Sequence, residues 1–208
     1  MTLLQVLDYA AVFIFGLTGA LAASRAQLDV IGFVFLACLT AVGGGTLRDL
    51  ILGRDPVFWV NDPGMIASAV AAALLVFLTA HLLESRLRAL EWLDALALSV
   101  AVPAGVGVAM TMSQAWPVVL IMGVATGTFG GLMRDVVCNE VPLVLKKGEL
   151  YASAALAGAS AALIASHWTD SRLIILLSCA VITFALRAGS MRFGWCLPVY
   201  RGRPPGGT

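Results

Sequence analysis

The chain has 208 residues, 60% of them hydrophobic and 12% charged, with a formal net charge of +1 and a mean hydropathy of +0.95. A soluble domain carries about a quarter charged residues, so an ordinary soluble globule, a disordered chain and a coiled coil are excluded. A charge this close to zero, with no basic stripe, also excludes a nucleic-acid partner.

A membrane crossing takes about 20 apolar residues, and seven such stretches follow one another along the sequence. The first runs from Leu4 to Ala23. It does not read as a cleavable leader, because no Lys or Arg precedes it and Asp8 interrupts it. The second, Val30 to Leu52, carries Gly43-Gly44-Gly45-Thr46-Leu47-Arg48-Asp49. Turn chemistry follows at Asp55-Pro56 and Asn61-Asp62-Pro63-Gly64. The third, Met65 to Leu83, is rich in small residues that suit close helix packing. The fourth, Leu93 to Met112, holds Asp94, Ser99 and Pro103, and the proline predicts a kink. The fifth, Trp116 to Val137, carries Thr128-Phe129-Gly130-Gly131-Leu132-Met133-Arg134-Asp135. After a turn at Lys146-Lys147-Gly148 come the sixth, Glu149 to Ser166, and the seventh, Leu173 to Met191. Trp59, Trp92, Trp116, Trp168 and Trp195 fall at or near span ends, as an interfacial aromatic belt requires.

The expected fold is therefore an all-α membrane protein, one transmembrane domain over 1–192 with a cytoplasmic tail over 193–208, disordered from Arg201 to Thr208. Lys and Arg fall ten to three on the two sides when the N-terminus is placed outside. Arg25, Arg86, Arg88, Arg134, Lys146, Lys147, Arg187, Arg192, Arg201 and Arg203 stand on one side, and Arg48, Arg54 and Arg172 on the other. The positive-inside rule then puts the C-terminus in the cytoplasm. Cys38, Cys138, Cys179 and Cys196 form no ligand or disulfide spacing, and His81 and His167 read as interfacial residues, so no metal and no cofactor is expected.

The second half repeats the first at a constant offset of 86 residues: Asp8 with Asp94, Gly19 with Gly105, Gly44-Gly45 with Gly130-Gly131, Arg48-Asp49 with Arg134-Asp135, and Pro56 with Pro142. Three spans lie in one period, so the second copy enters the membrane from the opposite side. This predicts an inverted repeat of three plus three spans, about 4–83 and 92–167, with a seventh helix over 172–191. Permeation paths form at such repeat interfaces, often where helices are broken.

Each glycine costs a helix about 1 kcal/mol relative to alanine, so the glycine runs are expected to bend or unwind spans two and five. Close packing through small residues is the alternative. The Arg-Asp pair beyond each run favours a wet path, because a charge inside a span is expensive and marks function. Asp8, Arg48, Asp49, Asp94, Arg134 and Asp135 sum to a formal charge of −2, a sign that favours cations. Asp49, Asp94 and Asp135 stand near span ends, where solvation by the interface is the competing explanation. Two charge clusters are expected, Asp8 with Arg48 and Asp94 with Arg134, with Asp49 and Asp135 as alternative partners. Phe13 and Phe129 are candidate apolar constrictions. Thr18, Thr46, Ser99 and Thr128 offer hydroxyls to a path or to their own helices. No HExxH, GxSxG or phosphate-loop pattern occurs, so an enzyme is not expected.

At Gly43-Gly44-Gly45-Thr46-Leu47-Arg48-Asp49, its echo Gly130-Gly131-Leu132-Met133-Arg134-Asp135, and Pro56-Val57-Phe58-Trp59, the chain resembles the prokaryotic trimeric intracellular cation (TRIC) channel family. The resemblance spans about 4–192. It implies a homotrimer with one monovalent-cation (K⁺ or Na⁺) pore per subunit, formed by spans one, two, four and five, and bound lipid at subunit interfaces. The second copy departs from the triple glycine at Phe129. The competing reading is a secondary transporter of a small solute such as glycine, which inverted repeats and broken helices suit equally.

Overall fold

Apolar runs bounded by capping residues fold as helices in the computed structural model, which describes residues 1–82, 85–146 and 148–198. Helix α1 (Leu3–Arg25) starts at a capping box in which Thr2 and Gln5 bond reciprocally. Helix α2 (Val30–Ile51) is capped by Asp29, whose side chain accepts from the Gly32 N–H. A single turn, α3 (Phe58–Asn61), precedes α4 (Gly64–Thr79). Ser85 caps α5 (Arg86–Thr111), and α6 (Trp116–Val137) has a proline in its first turn. Helices α7 (Ala152–Ala165) and α8 (Arg172–Phe193) complete the bundle.

Four helix ends share one turn. Gln27, Gly53, Ser113 and Asn139 take positive φ just past α1, α2, α5 and α6. The next residue then bonds back to a carbonyl five positions earlier, as in Leu28 to Ala23 (3.1 Å), Arg54 to Asp49 (2.8 Å), Gln114 to Ala109 (3.1 Å) and Glu140 to Asp135 (2.8 Å). These ends, and the starts of α2 and α6, stand 86 residues apart.

Among the described residues there is no strand. Six helices are long and apolar enough to cross a membrane, and α7 is a shorter apolar helix of 14 residues. At about 1.5 Å per residue, α7 covers roughly 21 Å against a hydrocarbon core of about 30 Å. It starts later than expected because Gly148 takes positive φ and Tyr151 is the N-terminal flanking residue. Helix α5 starts earlier than expected, because Ser85 supplies a cap and the Arg86-Leu87-Arg88 stretch is helical despite its charge. Leu83, Lys147 and the Arg201 to Thr208 tail lie outside the described residues.

Packing puts α1, α2, α5 and α6 at the centre. Helix α1 packs on α2, α4 and α5, α2 on α6, and α5 on α6, while α8 packs on α5 and α7. The unwinding expected at the glycine runs does not occur: α2 and α6 are continuous α-helices through them, and α5 is continuous through Pro103. The glycines instead let backbones touch. A Cβ on Gly44 would strike the Thr126 carbonyl oxygen, and one on Gly130 would strike that of Thr40. Both threonine hydroxyls donate to their own helices, at 2.6 Å to Leu36 and Met122, which leaves the approach clear.

Gly44→Ala and Gly130→Ala must force α2 from α6, at a cost of about 1–3 kcal/mol each. Gly43→Ala presses on the flexible end of Met133 and makes no more than ordinary contact with the Gly130 backbone, and costs less. Unfolding midpoints in detergent check this ranking.

Candidate functional site

Arg48 and Arg134 sit in the last turns of α2 and α6, and both side chains are fully buried. Arg48 Nε donates to Asp49 Oδ1 at 2.7 Å and its Nη1 donates to Asp8 Oδ1 at 2.9 Å. Arg134 Nε donates to Asp135 Oδ1 and its Nη1 to Asp94 Oδ1, both at 2.8 Å. The carboxylates that sequence reasoning left as alternatives act together, two on each guanidinium. A buried charge costs several kcal/mol in desolvation, and only close pairing with satisfied hydrogen bonds offsets it.

Asp49 and Asp135 also hold the chain that follows each helix. Their Oδ2 atoms accept from the backbone N–H of Phe58 and Leu143, each at 2.8 Å. The interfacial solvation considered for Asp49, Asp94 and Asp135 is not what the structure contains, because all three are buried. The reason is local: the turns after α2 and α6 fold back over the helix ends and bring backbone donors to the carboxylates.

Several participants escaped the sequence reading. Arg54 Nη1 donates to Asp49 Oδ1 at 2.8 Å, which gives the first cluster a second cation and no net charge. The Arg48 guanidinium lies over the Phe58 ring, 5.3 Å from its centre. Arg187, counted above as a cytoplasmic charge, is fully buried in α8. It donates to Glu149 Oε2 at 2.7 Å and lies 5.0 Å from the centre of the Tyr151 ring. Its position inside a predicted span was the available signal.

The remaining sequence candidates separate. Asp8, Gly44 and Gly45 line a cavity of about 10 Å³ with Ala11, Val12, Phe15, Ala41, Phe58, Ala101, Ala104 and Thr126. That is room for roughly one water. The cavity lies among α1, α2, α3, α5 and α6, so Phe15 narrows it; Phe13 lies 37% exposed on the outside of the chain. The two face apart because two residues along a helix turn a side chain by about 200°. Thr18 and Ser99 donate to the carbonyls of Phe15 and Leu96. Thr46 donates to Val42 and accepts from Trp59 Nε1 at 3.0 Å. Thr128 is buried, Phe129 half-buried, and Gly43 packs on Met133. Gly131 lies against Tyr151 and Asp94. Among the described residues no group of three or more His, Cys, Asp or Glu side chains could hold a metal ion.

A family model described as "Glycine transporter" matches residues 5–81 and again residues 91–167. The fold is similar to the TRIC trimeric intracellular cation channel orthologue from Rhodobacter sphaeroides, with a TM-score of 0.89 and 41% identity over 93% of this chain and 100% of that one. The chain belongs to the TRIC channel family. Among curated relatives, it is 36% identical over 201 residues to the UPF0126 inner membrane protein YadS of Escherichia coli K12, covering 93% of this chain and 94% of that protein. It is 35% identical over 204 residues to a UPF0126 membrane protein of Vibrio cholerae, covering 96% and 83%. Each matched segment of this TRIC-family chain carries one Asp–Arg–Asp cluster, and Arg187 lies outside both.

Asp49 pairs two arginines and a backbone donor, so Asp49→Ala is expected to cost about 3–5 kcal/mol by leaving buried charge uncompensated. Arg54, about one-third exposed, is worth about 1 kcal/mol or less. Yield of monodisperse protein and unfolding midpoints for Asp49→Ala and Arg54→Ala check the order.

Proposed function

We propose that this transmembrane chain is a monovalent-cation channel, a homotrimer in which each subunit encloses its own path among α1, α2, α5 and α6. The observation that carries this reading is the cavity at the meeting of those four helices, with the Asp8 carboxylate in its wall and Phe15 and Phe58 narrowing it. With room for one water it is a closed state. A carboxylate in the wall selects for cations over anions. The solved relatives described as TRIC cation channels support the class of activity and the trimer. Among the described residues no backbone-carbonyl filter of the tetrameric potassium-channel kind is built, so K⁺ passes with modest preference over Na⁺.

In this reading α1, α2 and α4 form one copy of an inverted repeat and α5, α6 and α7 the other. Helix α8 is the seventh span, the N-terminus lies outside and the C-terminus in the cytoplasm. The two family-model matches, 86 residues apart at their starts, support the duplication. A location in the inner membrane is supported by the relative named an inner membrane protein, and the orientation by the Lys and Arg count alone. Asp8, Arg48 and Asp49 line or hold one end of the path, and Asp94, Arg134 and Asp135 the other. The glycines set the waist between them, and lipid fills the apolar seams between subunits.

The family description favours one second reading, a glycine transporter. Purified protein in planar bilayers under a KCl gradient separates the two. A channel gives current without any glycine gradient, with a reversal potential near that of K⁺. Asp8→Asn moves that potential toward zero. Phe15→Ala raises conductance several-fold and Phe13→Ala leaves it unchanged. Current that requires glycine, or an unchanged reversal potential in Asp8→Asn, would sink the channel reading. Reporter fusions at the two termini should fall on opposite sides of the membrane.

A further inference from the structure

The two charge clusters are built alike, yet only the second has a neighbour on α8. Tyr151 is buried and touches both parties. Its ring face carries the Arg187 guanidinium, 5.0 Å from the ring centre. Its hydroxyl, one Asp94 carboxylate oxygen and Arg134 Nη2 all lie within 3.6 Å of the point that a Cβ on Gly131 would occupy. The residue 86 positions earlier is Met65, which has no polar group to offer.

Complementary groups stand unpaired beside the face of this ring and beside its hydroxyl end. Arg187 uses only Nη1, toward Glu149. Its Nε and Nη2 are buried donors with no partner among the described residues, and so are Arg134 Nη2 and the Tyr151 hydroxyl. Asp94 uses only Oδ1, toward Arg134, and its Oδ2 is a buried acceptor with no partner among the described residues. Vacant donors on a cation and a vacant acceptor on an anion attract strongly where water is scarce, and leaving both unmade is costly. In the first cluster only the Arg48 Nη2 donor stands unpaired, so that half holds no such mismatch.

We infer that Tyr151 is a latch that keeps Arg187 of α8 from Asp94 of α5, and that its withdrawal lets Asp94 bridge Arg134 and Arg187 in a second state of the channel. The inference rests on the channel reading above, because the second state is the conducting one. In the closed state the ring wedges α7 between α5 and α8. Once it swings out, Arg187 keeps Glu149 through Nη1 and gives Nη2 to Asp94 Oδ2. Helix α8 then draws toward α5, and the packing of α5 against α1 and α6 around the cavity loosens. Arg187 is a positioning residue in this scheme, acting on the path through Asp94.

The test is a double-mutant cycle on the full-length protein. Tyr151→Ala removes the wedge and should raise open probability in planar bilayers about tenfold, the worth of one charge-assisted hydrogen bond made in the open state. Arg187→Gln alone should lower it about tenfold, since the conducting state loses its bridge to Asp94 while the closed state loses only the partner of a partly exposed Glu149. Arg187→Gln added to Tyr151→Ala should cancel the increase. Tyr151→Phe keeps the wedge and should gate like the parent. A current-free arm measures unfolding midpoints of the same four proteins in detergent, where Arg187→Gln should destabilise the Tyr151→Ala background more than the parent. An open probability that Arg187→Gln leaves unmoved, or additive effects on the midpoints, overturns the latch. Coupling in the midpoints with no cation current from any variant leaves the latch standing and overturns the channel reading.

Discussion

A guanidinium cannot leave water for the interior of a lipid bilayer with its charge unanswered, and Arg134 cannot lose its proton to escape. The positions of α1, α2, α5 and α6 follow from that constraint. Arg48 and Arg134 each take one carboxylate from their own helix and one from 40 residues earlier, on the preceding long helix. The second ligand fixes how α1 meets α2 and how α5 meets α6. The first also secures the following segment, through the backbone N–H groups of Phe58 and Leu143. A polar network of this kind forms in full or costs more than it returns, which makes helix placement and loop return a single event.

Close backbone approach completes the arrangement. Where α2 crosses α6, Gly44 faces the Thr126 carbonyl and Gly130 faces the Thr40 carbonyl. Helices this close leave little room between them, and the cavity beside Asp8 is correspondingly small. More space at the glycine crossing itself requires displacement of whole helices, because a glycine has no side chain to rotate away. The helices stay continuous across the glycines since their hydrogen-bond ladders already satisfy the backbone, which lipid demands of every crossing segment.

The long helices were legible because their apolar runs are bounded by charged or capping residues. Helix α6 has the bounds that periodicity and Trp116 indicate, and α2 differs by one residue. The start of α7 was not legible, since Glu149 and Leu150 continue the pattern and only the backbone turn at Gly148 excludes them. The Arg–Asp pairings could be approached from the repeat, because two positions with the same charge at the same spacing constrain each other. Arg54, Tyr151 and Arg187 could not be found that way. Their counterparts are Glu140, Met65 and nothing at all, and symmetry is silent about whatever one half has alone. Phe13 and Phe15 are equally apolar in sequence, and only the direction of the α1 axis assigns one to the cavity wall.

The exposed pair between Arg25 of α1 and Glu140 after α6, with contacts of 3.0 Å, bears on how the two halves have diverged. Position 140 is the counterpart of position 54, where an arginine serves Asp49. A chain assembled from two copies of the first half would place arginine against Arg25, and one assembled from two copies of the second half would leave Asp49 without its second cation. The halves have thus become non-interchangeable parts.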